Sequence, residues 1–317
     1  MRMPDARGTF YERIEALGSA ISHDSVVSGP PAARMENARA RIMRSGLAVT
    51  TFTILEDFLR ARTQETFAYI SRSGNPFGKM PAQLRRIATI RTVKAILFQL
   101  GIKNDARDDI AYVQEKASSI ASTLTASYEI SDIAFGYDTS NLSDTMVEEL
   151  LEALHIDKPW ESMGQIGARA GIGTLRQRHR AAFLELAARR HHAAHDPRSD
   201  VQPSELEAGL LDVVGLAIGF DGLISMAGER FRTRDQNFLS GKKKITQKEL
   251  GLIFVEPIGA EIFGVKREDA KKYWRKKDSI EGAIDHARRL CHNQQAIVVT
   301  VNNRKVPVRW ESPSFAG

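Results

Sequence analysis

The residues best suited to chemistry stand together near position 190, where Arg190 is followed by His191, His192 and, five positions on, His195. An arginine stays charged and can hold two oxygens of one phosphate at once. A histidine, with an ordinary pKa of ~6.5, can take up or release a proton close to neutral pH. The pair therefore suits a reaction at an anionic centre, with Arg190 stabilising negative charge and His195 transferring the proton.

A helix must position these residues, because the sequence from Thr174 to about His195 is helix-forming and Asp196-Pro197 stops it. Five residues turn a helix by about 500°, so the side chains of Arg190 and His195 point about 140° apart. One chain by itself therefore provides only an open, incomplete site.

Other interpretations of the same residues stay open. An arginine and a histidine near a helix end also cap free carbonyl groups and interact with the helix dipole. His191 and His195 have the four-residue spacing of a zinc protease, but His192 occupies the glutamate position and no third ligand is evident, so no metal is predicted. Glu56 either reaches and orients this group, with His191 as a further supporting residue, or is an ordinary solvated glutamate.

The rest of the chain up to residue 232 also predicts helices. Apolar residues recur three and four positions apart through a proline-free stretch from 33 to about 71. Further helices are expected at 9–21, 81–100, 105–127, 144–155, 160–169 and 204–230, the last two after Pro159 and a capping box at 204–207. We interpret 1–32 as a lead-in with a short helix and a mobile loop, and 33–232 as one helical bundle.

The flanking motifs and their order are informative. LEDFLRARTQETF lies in the long early helix, and NLSDTMVEELLEALHID, PW-x-S-M and GARAGI then precede the Arg/His motif. This order resembles the RiboL-PSP-HEPN branch of the HEPN superfamily over about residues 35–230. Some branches carry a tyrosine two positions after the histidine; here Pro197 stands there, so nucleotidylation of that tyrosine is not expected.

The resemblance implies a HEPN-type helical bundle and a homodimer that brings two copies of the motif across one cleft. It also implies a metal-independent endoribonuclease without a cofactor, in which Arg190 and His195 cleave an RNA substrate through attack of the 2′-hydroxyl. Such a protein is expected to act as a toxin or an antiviral defence effector, with an antitoxin or a defence-system protein as partner. The alternatives are a non-catalytic HEPN binding module and a helix-turn-helix DNA-binding regulator that dimerises through its helices.

The C-terminal quarter differs in charge from the rest. Residues 240–317 hold 16 Lys and Arg against 9 Asp and Glu, whereas the first 239 residues hold 29 against 30. We predict a basic linker at 233–245 and a small α+β module at 246–317, with helix-turn-helix-like helices to about 277 and a later β-hairpin. The residues expected to bind RNA, or DNA, are Lys266, Arg267, Lys271, Lys272, Arg275 and Lys276.

Composition excludes several classes of protein. Cys291 is the single cysteine, which rules out an internal disulfide framework and suits a reducing compartment. No run of about 18 apolar residues is free of charge, and the first residues lack the apolar core of a secretory signal. We therefore expect a cytoplasmic protein without a membrane partner.

Overall fold

The computed structural model describes residues 5–102, 104, 106–172, 179–196, 198–291 and 295–312. Within these residues the chain is mostly helical, with a small β-sheet near its C-terminus. The helices are α1 (Ala6–Ile21), α2 (Arg34–Ser71), α3 (Ala82–Arg86), α4 (Thr92–Leu100), α5 (Asp109–Ser122), α6 (Asp144–Ala153), α7 (Pro159–Arg169), α8 (His179–His195), α9 (Pro203–Arg232), α10 (Gln236–Leu239) and α11 (Ile280–Cys291). The strands are β1 (Gly251–Pro257), β2 (Phe263–Arg267), β3 (Arg275–Lys277), β4 (Ala296–Val301) and β5 (Pro307–Glu311).

Two long helices, α2 and α9, pack along each other at the centre of the bundle, and α1, α7 and α8 pack around them. The middle of α9 is buried on all sides and is apolar there except for Asp221 and Ser225. At Gly219 a Cβ would lie 2.5 Å from the Met163 carbonyl oxygen, so glycine lets α7 cross α9 at close range. In the described part of the chain, α9 is the one helix long and apolar enough to span a membrane, and 83% of its 18-residue apolar stretch is buried inside the protein.

Most of the predicted helices are found close to their predicted bounds. The helix predicted at 105–127 is shorter, since α5 spans Asp109–Ser122, and the start predicted for the motif helix at Thr174 lies outside the described residues. Two further differences concern local geometry. The segment from 82 to 100 is continuous but contains a π-helical turn, Ile87–Arg91, between α3 and α4. The capping box at 204–207 is wrong, because α9 begins at Pro203 and the Glu205 carboxylate instead accepts from the Gln202 N–H at 2.8 Å. Proline fits this first helical position, since its missing N–H would have no partner within the helix there.

The predicted helix-turn-helix is wrong. Residues 263–277 form the antiparallel pair β2 and β3, and the capping box at 246–249 opens a 3₁₀ turn of three residues before β1. Phe263 and Val265 pack toward α11, while Gly264 faces the other way, where a Cβ would collide with the Tyr273 ring. This two-residue alternation, with β1 supplying the backbone partners, stabilises a strand in place of a helix.

Within the described residues the strands form one sheet, in the order β3-β2-β1-β4-β5. The predicted β-hairpin near the C-terminus is confirmed as the antiparallel pair β4 and β5. β1 and β4 are parallel, and the chain passes between them through β2, β3 and α11.

The sheet shares the hydrophobic core of the helical bundle. Leu252, Phe254 and Val299 on one face join the bundle core, and the opposite face packs on α11. The segment predicted as a linker, 233–245, carries α10 and buries Phe238 and Ile245 in the same core. The C-terminal sheet is therefore packed directly against the helices.

The predicted N-terminal lead-in also joins this core. In α1, Phe10 lies 4.6 Å from Phe58 of α2 and 5.5 Å from Trp310 of β5, measured between ring centroids. Val26, in the loop predicted to be mobile, is fully buried. Elements α1 and β5, which are far apart in the sequence, thus meet at α2.

Candidate functional site

The site lies on the last two turns of α8. The apolar residues Ala182, Phe183 and Leu186 hold the earlier part of this helix in the core, with the Phe183 ring 5.3 Å from the Phe52 ring of α2. No residue of α8 beyond Leu186 is fully buried. The helix therefore extends from a fixed base and presents its C-terminal end to solvent.

Arg190 is the inward-facing member of the site. It is half-buried, and its Nε atom is inaccessible to solvent and has no hydrogen-bond partner in the described part of the chain. Its charge acts on the carboxylate of Glu56, which lies on α2. Arg190 thus lies within electrostatic range of a carboxylate while retaining unused donor capacity.

Glu56 is buried, with 4% of its surface exposed, so its interpretation as an ordinary solvated glutamate is wrong. Its Oε1 accepts from the Leu142 N–H at 2.5 Å and lies 3.7 Å from an Arg60 nitrogen. Burial raises the pKa of Glu56, and the Leu142 N–H, Arg60 and Arg190 partly oppose this increase. No pattern in the sequence could have identified the Leu142 contact, because a backbone N–H from a distant loop makes it.

His191 and His195 form the outward-facing part of the site. Both are exposed, and their ring centroids are 4.8 Å apart with the planes inclined by 52°. His192 lies on a different side of the helix, with its ring centroid 6.0 Å from that of His191. Across the described residues, none of these three imidazoles takes part in a hydrogen bond or an ion pair with another side chain.

The structure brings His191 together with His195 and places Arg190 within electrostatic range of Glu56, with no ion pair between these two in the described residues, and it does not join the arginine to the histidines. No hydrogen bond or ring contact links Arg190 to His195 among the residues described, as the 140° between their directions predicts. Pro197 of the motif lies outside the described residues. One chain therefore presents an arginine and a histidine at one helix end, pointing in widely different directions.

Arg189 fastens α8 to α9. Its Nη1 donates to the Glu205 carbonyl oxygen at 3.2 Å. Burial, with the nearby carboxylate of Glu185, raises the pKa of Asp212 on α9 to about 6, and Arg189 opposes the increase. Asp212 interrupts an apolar run in the sequence, which is the signal that could have marked it as a perturbed carboxyl.

The predicted nucleic-acid-binding residues divide into two groups. Lys266 lies 3.0 Å from a carboxylate oxygen of Glu256, and Arg267 lies 3.3 Å from one of Asp269. The other four are exposed in the turn after β2 and on β3, and make no ion pair in the described structure: Lys271, Lys272, Arg275 and Lys276. In the described parts of the chain, no three His, Cys, Asp or Glu side chains are grouped so that they could hold a metal ion.

One of the comparisons with known proteins identifies a family. The family model described as RiboL-PSP-HEPN matches residues 10–226, more than half of the chain. The match begins within α1, earlier than the resemblance at about 35 suggested, and ends within α9. Neither the curated proteins nor the solved structures give a match. With a helical bundle that carries Arg190 and His195 on α8, and with a family match across that bundle, the chain belongs to the RiboL-PSP-HEPN family.

Proposed function

We propose that this protein is a metal-independent endoribonuclease in which His195 and Arg190 act on the RNA backbone. The observation that carries the proposal is the end of α8, which holds a half-buried arginine with a spare donor and, on its outward side, a pair of exposed imidazoles. Membership of the RiboL-PSP-HEPN family supports it. A cytoplasmic role as a toxin or antiviral effector is part of the proposal and rests on family membership alone.

The proposed reaction uses the 2′-hydroxyl of RNA as the nucleophile. Neutral His195 takes the hydroxyl proton, the 2′-oxygen attacks the adjacent phosphorus, and the bond to the 5′-oxygen breaks. Arg190 donates to the non-bridging oxygens, on which negative charge accumulates. The products are a 2′,3′-cyclic phosphate and a 5′-hydroxyl, which receives its proton from a protonated imidazole. DNA lacks the 2′-hydroxyl and does not react.

The spacing of the histidines supports a composite site in a homodimer. In an in-line displacement the attacking and leaving oxygens lie on opposite sides of phosphorus, so the base and the acid must flank the phosphate. Two hydrogen bonds of about 2.8 Å each already exceed the 4.8 Å between the rings of His191 and His195. A second copy of the motif, with its own histidine, supplies the opposite side.

Glu56 has a positioning role in this proposal. Its carboxylate is fixed by the Leu142 N–H and attracts the Arg190 guanidinium, which limits the directions that the arginine can adopt. His191, one turn before His195, supports the second proton transfer through its contact with the His195 ring. Neither residue is required to touch the reacting phosphate.

The test is cleavage of RNA by purified full-length protein, with the cut ends mapped. His195→Ala and Arg190→Ala are each expected to abolish cleavage and to leave the helical circular dichroism and the dimer unchanged. His192→Ala is the matched control, because this exposed histidine lies on the same turn but faces away from the pair. Cleavage by His195→Ala at the wild-type rate would refute the assignment, and a folded wild type that binds RNA without cleaving it would indicate a binding module.

Two further measurements test the mechanism and the composite site. Addition of EDTA is expected to leave the rate unchanged, and a metal requirement would contradict direct attack by the 2′-hydroxyl. Inactive His195→Ala chains, mixed with wild-type chains and allowed to exchange, separate a composite site from a single-chain one. A shared site needs the histidine of both copies, so mixed dimers are expected to be inactive and the rate to fall below the fraction of wild-type chains. A rate that equals that fraction, or a wild-type protein that is active as a monomer by light scattering, excludes the shared site.

A further inference from the structure

Three cationic side chains and one histidine converge where the free edge of the sheet meets α11. Arg275 and Lys277 of β3 pair with Val265 and Phe263 of β2, whose side chains pack toward α11, so both basic side chains face that helix. From α11, His286 lies within the electrostatic reach of Lys277, Arg289 and Arg275. Burial and these three charges lower the pKa of His286, which indicates how closely the group is gathered.

This cluster, Arg275, Lys277, His286 and Arg289, lacks compensating negative charge. None of its members makes an ion pair in the described parts of the chain, and Asp278 and Glu281, although close in sequence, pair with none of them. Other cations of the same region are neutralised by ion pairs. Lys266 pairs with Glu256, Arg267 with Asp269, and Arg288 with Glu311.

Uncompensated like charges on two rigid elements repel each other, and an external polyanion relieves that repulsion. Trp274, directly before Arg275, is 41% exposed, although a tryptophan is usually among the more buried residues. Exposed aromatic rings beside a cationic track are how proteins hold single strands, since any base can stack on them. The backbone edge of β3 is also open, because β3 is the outermost strand of the sheet.

We propose that this cluster and Trp274 bind the phosphodiester backbone and bases of single-stranded nucleic acid. The use of the surface for substrate capture rests on the proposed ribonuclease activity, but the binding itself does not. The contacts are to phosphates and base faces, so RNA and single-stranded DNA bind equally well, and a duplex, whose bases are stacked internally, binds more weakly. This surface replaces the predicted recognition helix, and it includes three residues outside that prediction, Lys277, His286 and Arg289.

The test is a binding titration with full-length His195→Ala protein, which separates binding from cleavage. The probes are fluorescein-labelled oligouridylate, the matching oligodeoxythymidylate and a DNA duplex of the same length. Arg275→Glu with Arg289→Glu removes about two phosphate contacts. The log–log salt slope is then expected to fall by about 1.4, and affinity at 0.1 M salt is expected to drop at least about 25-fold. Trp274→Ala is expected to weaken binding at least about 5-fold for the loss of one stacked base.

The control is Arg72→Glu with Lys79→Glu, which changes the net charge equally at two exposed positions away from the sheet. It is expected to change the affinity by less than a quarter of the decrease seen in the cluster variant.

Arg275→Gln with Arg289→Gln provides a milder version should charge reversal perturb the fold, which thermal unfolding reports. Unchanged affinity and salt slope in both cluster variants would overturn the proposal, as would a duplex that binds as tightly as the single strands. Loss of binding in these variants, with a wild type that cleaves no RNA, would support the surface and refute the ribonuclease.

Discussion

Replacing Asp221 by alanine is expected to destabilise the whole chain, because this carboxylate joins segments from both ends of the protein. It is fully buried and accepts from Arg7 at 2.6 Å, from Arg62 at 2.8 Å and from the Trp310 Nε1–H at 2.7 Å. Burial alone would raise the pKa of Asp221, but Arg62, Arg7 and Trp310 more than offset this and hold it well below its usual range. The contribution to stability is therefore present at neutral pH and lost only on strong acidification.

The magnitude follows from the two cations that the substitution leaves behind. The side chains of Arg7 and Arg62 are 15% and 9% exposed, so water can replace the lost carboxylate only in part. Removing one partner of such a buried ionic group costs about 3–5 kcal/mol. For a chain of 317 residues the unfolding entropy is roughly 0.67 kcal/mol/K, so the melting temperature is expected to fall by about 4.5–7.5 °C.

The assay is thermal unfolding followed by circular dichroism and by tryptophan fluorescence, which also reports Trp310. A matched variant separates charge from packing: Arg7→Met, Arg62→Leu and Asp221→Leu together remove all three charges. This triple variant is expected to recover at least half of the loss, because no charge is left buried without a partner. If Asp221→Ala melts within 1 °C of the wild type, the two arginines are solvated and the reasoning is wrong.

Three other substitutions are expected to change the free energy of unfolding, two of them upward and one downward, and thermal unfolding measures each change. Asp212→Asn is expected to stabilise the protein near pH 8. The increase in the pKa of Asp212 to about 6 corresponds to a free-energy cost of about 3 kcal/mol for its ionised form in the folded state. Solvent screening at this partly buried site reduces that cost to about 1–2 kcal/mol. Because the folded-state pKa is raised, this advantage must disappear as the pH falls from about 6 to 4, and an effect independent of pH would contradict it. Gly219→Ala is expected to destabilise the protein by about 1–3 kcal/mol, since its Cβ would lie 2.5 Å from the Met163 carbonyl oxygen. Gly46→Ala on α2 meets no atom within 4 Å and is expected to stabilise by about 0.5–1 kcal/mol; a destabilised Gly46→Ala would show that helix propensity does not decide there.

The sequence by itself determined the helical bundle and the placement of the Arg/His motif at a helix end. These features are local: apolar residues repeat at helical spacing along α2 and α8, and Asp196-Pro197 follows the last turn. The cap of α6 is likewise local, since Ser143 accepts from the Met146 N–H three residues away. Local patterns survive in any tertiary context that buries the apolar face, which is why they could be predicted.

Only the tertiary structure decided the C-terminal fold and the state of each charge. The stretch from Ile262 to Trp274 satisfies a helical pattern as well as a strand pattern, and β2 forms because β1 provides its backbone partners across the sheet. Whether a basic residue is free or paired likewise depends on carboxylates elsewhere in the fold: Glu256 pairs with Lys266, whereas no carboxylate of the described residues pairs with Arg275. Glu56 lies within electrostatic range of Arg190, more than a hundred positions away in the sequence, because α2 and α8 pack together. Strand pairing and charge pairing join residues far apart in the chain, so no window of sequence contains both partners.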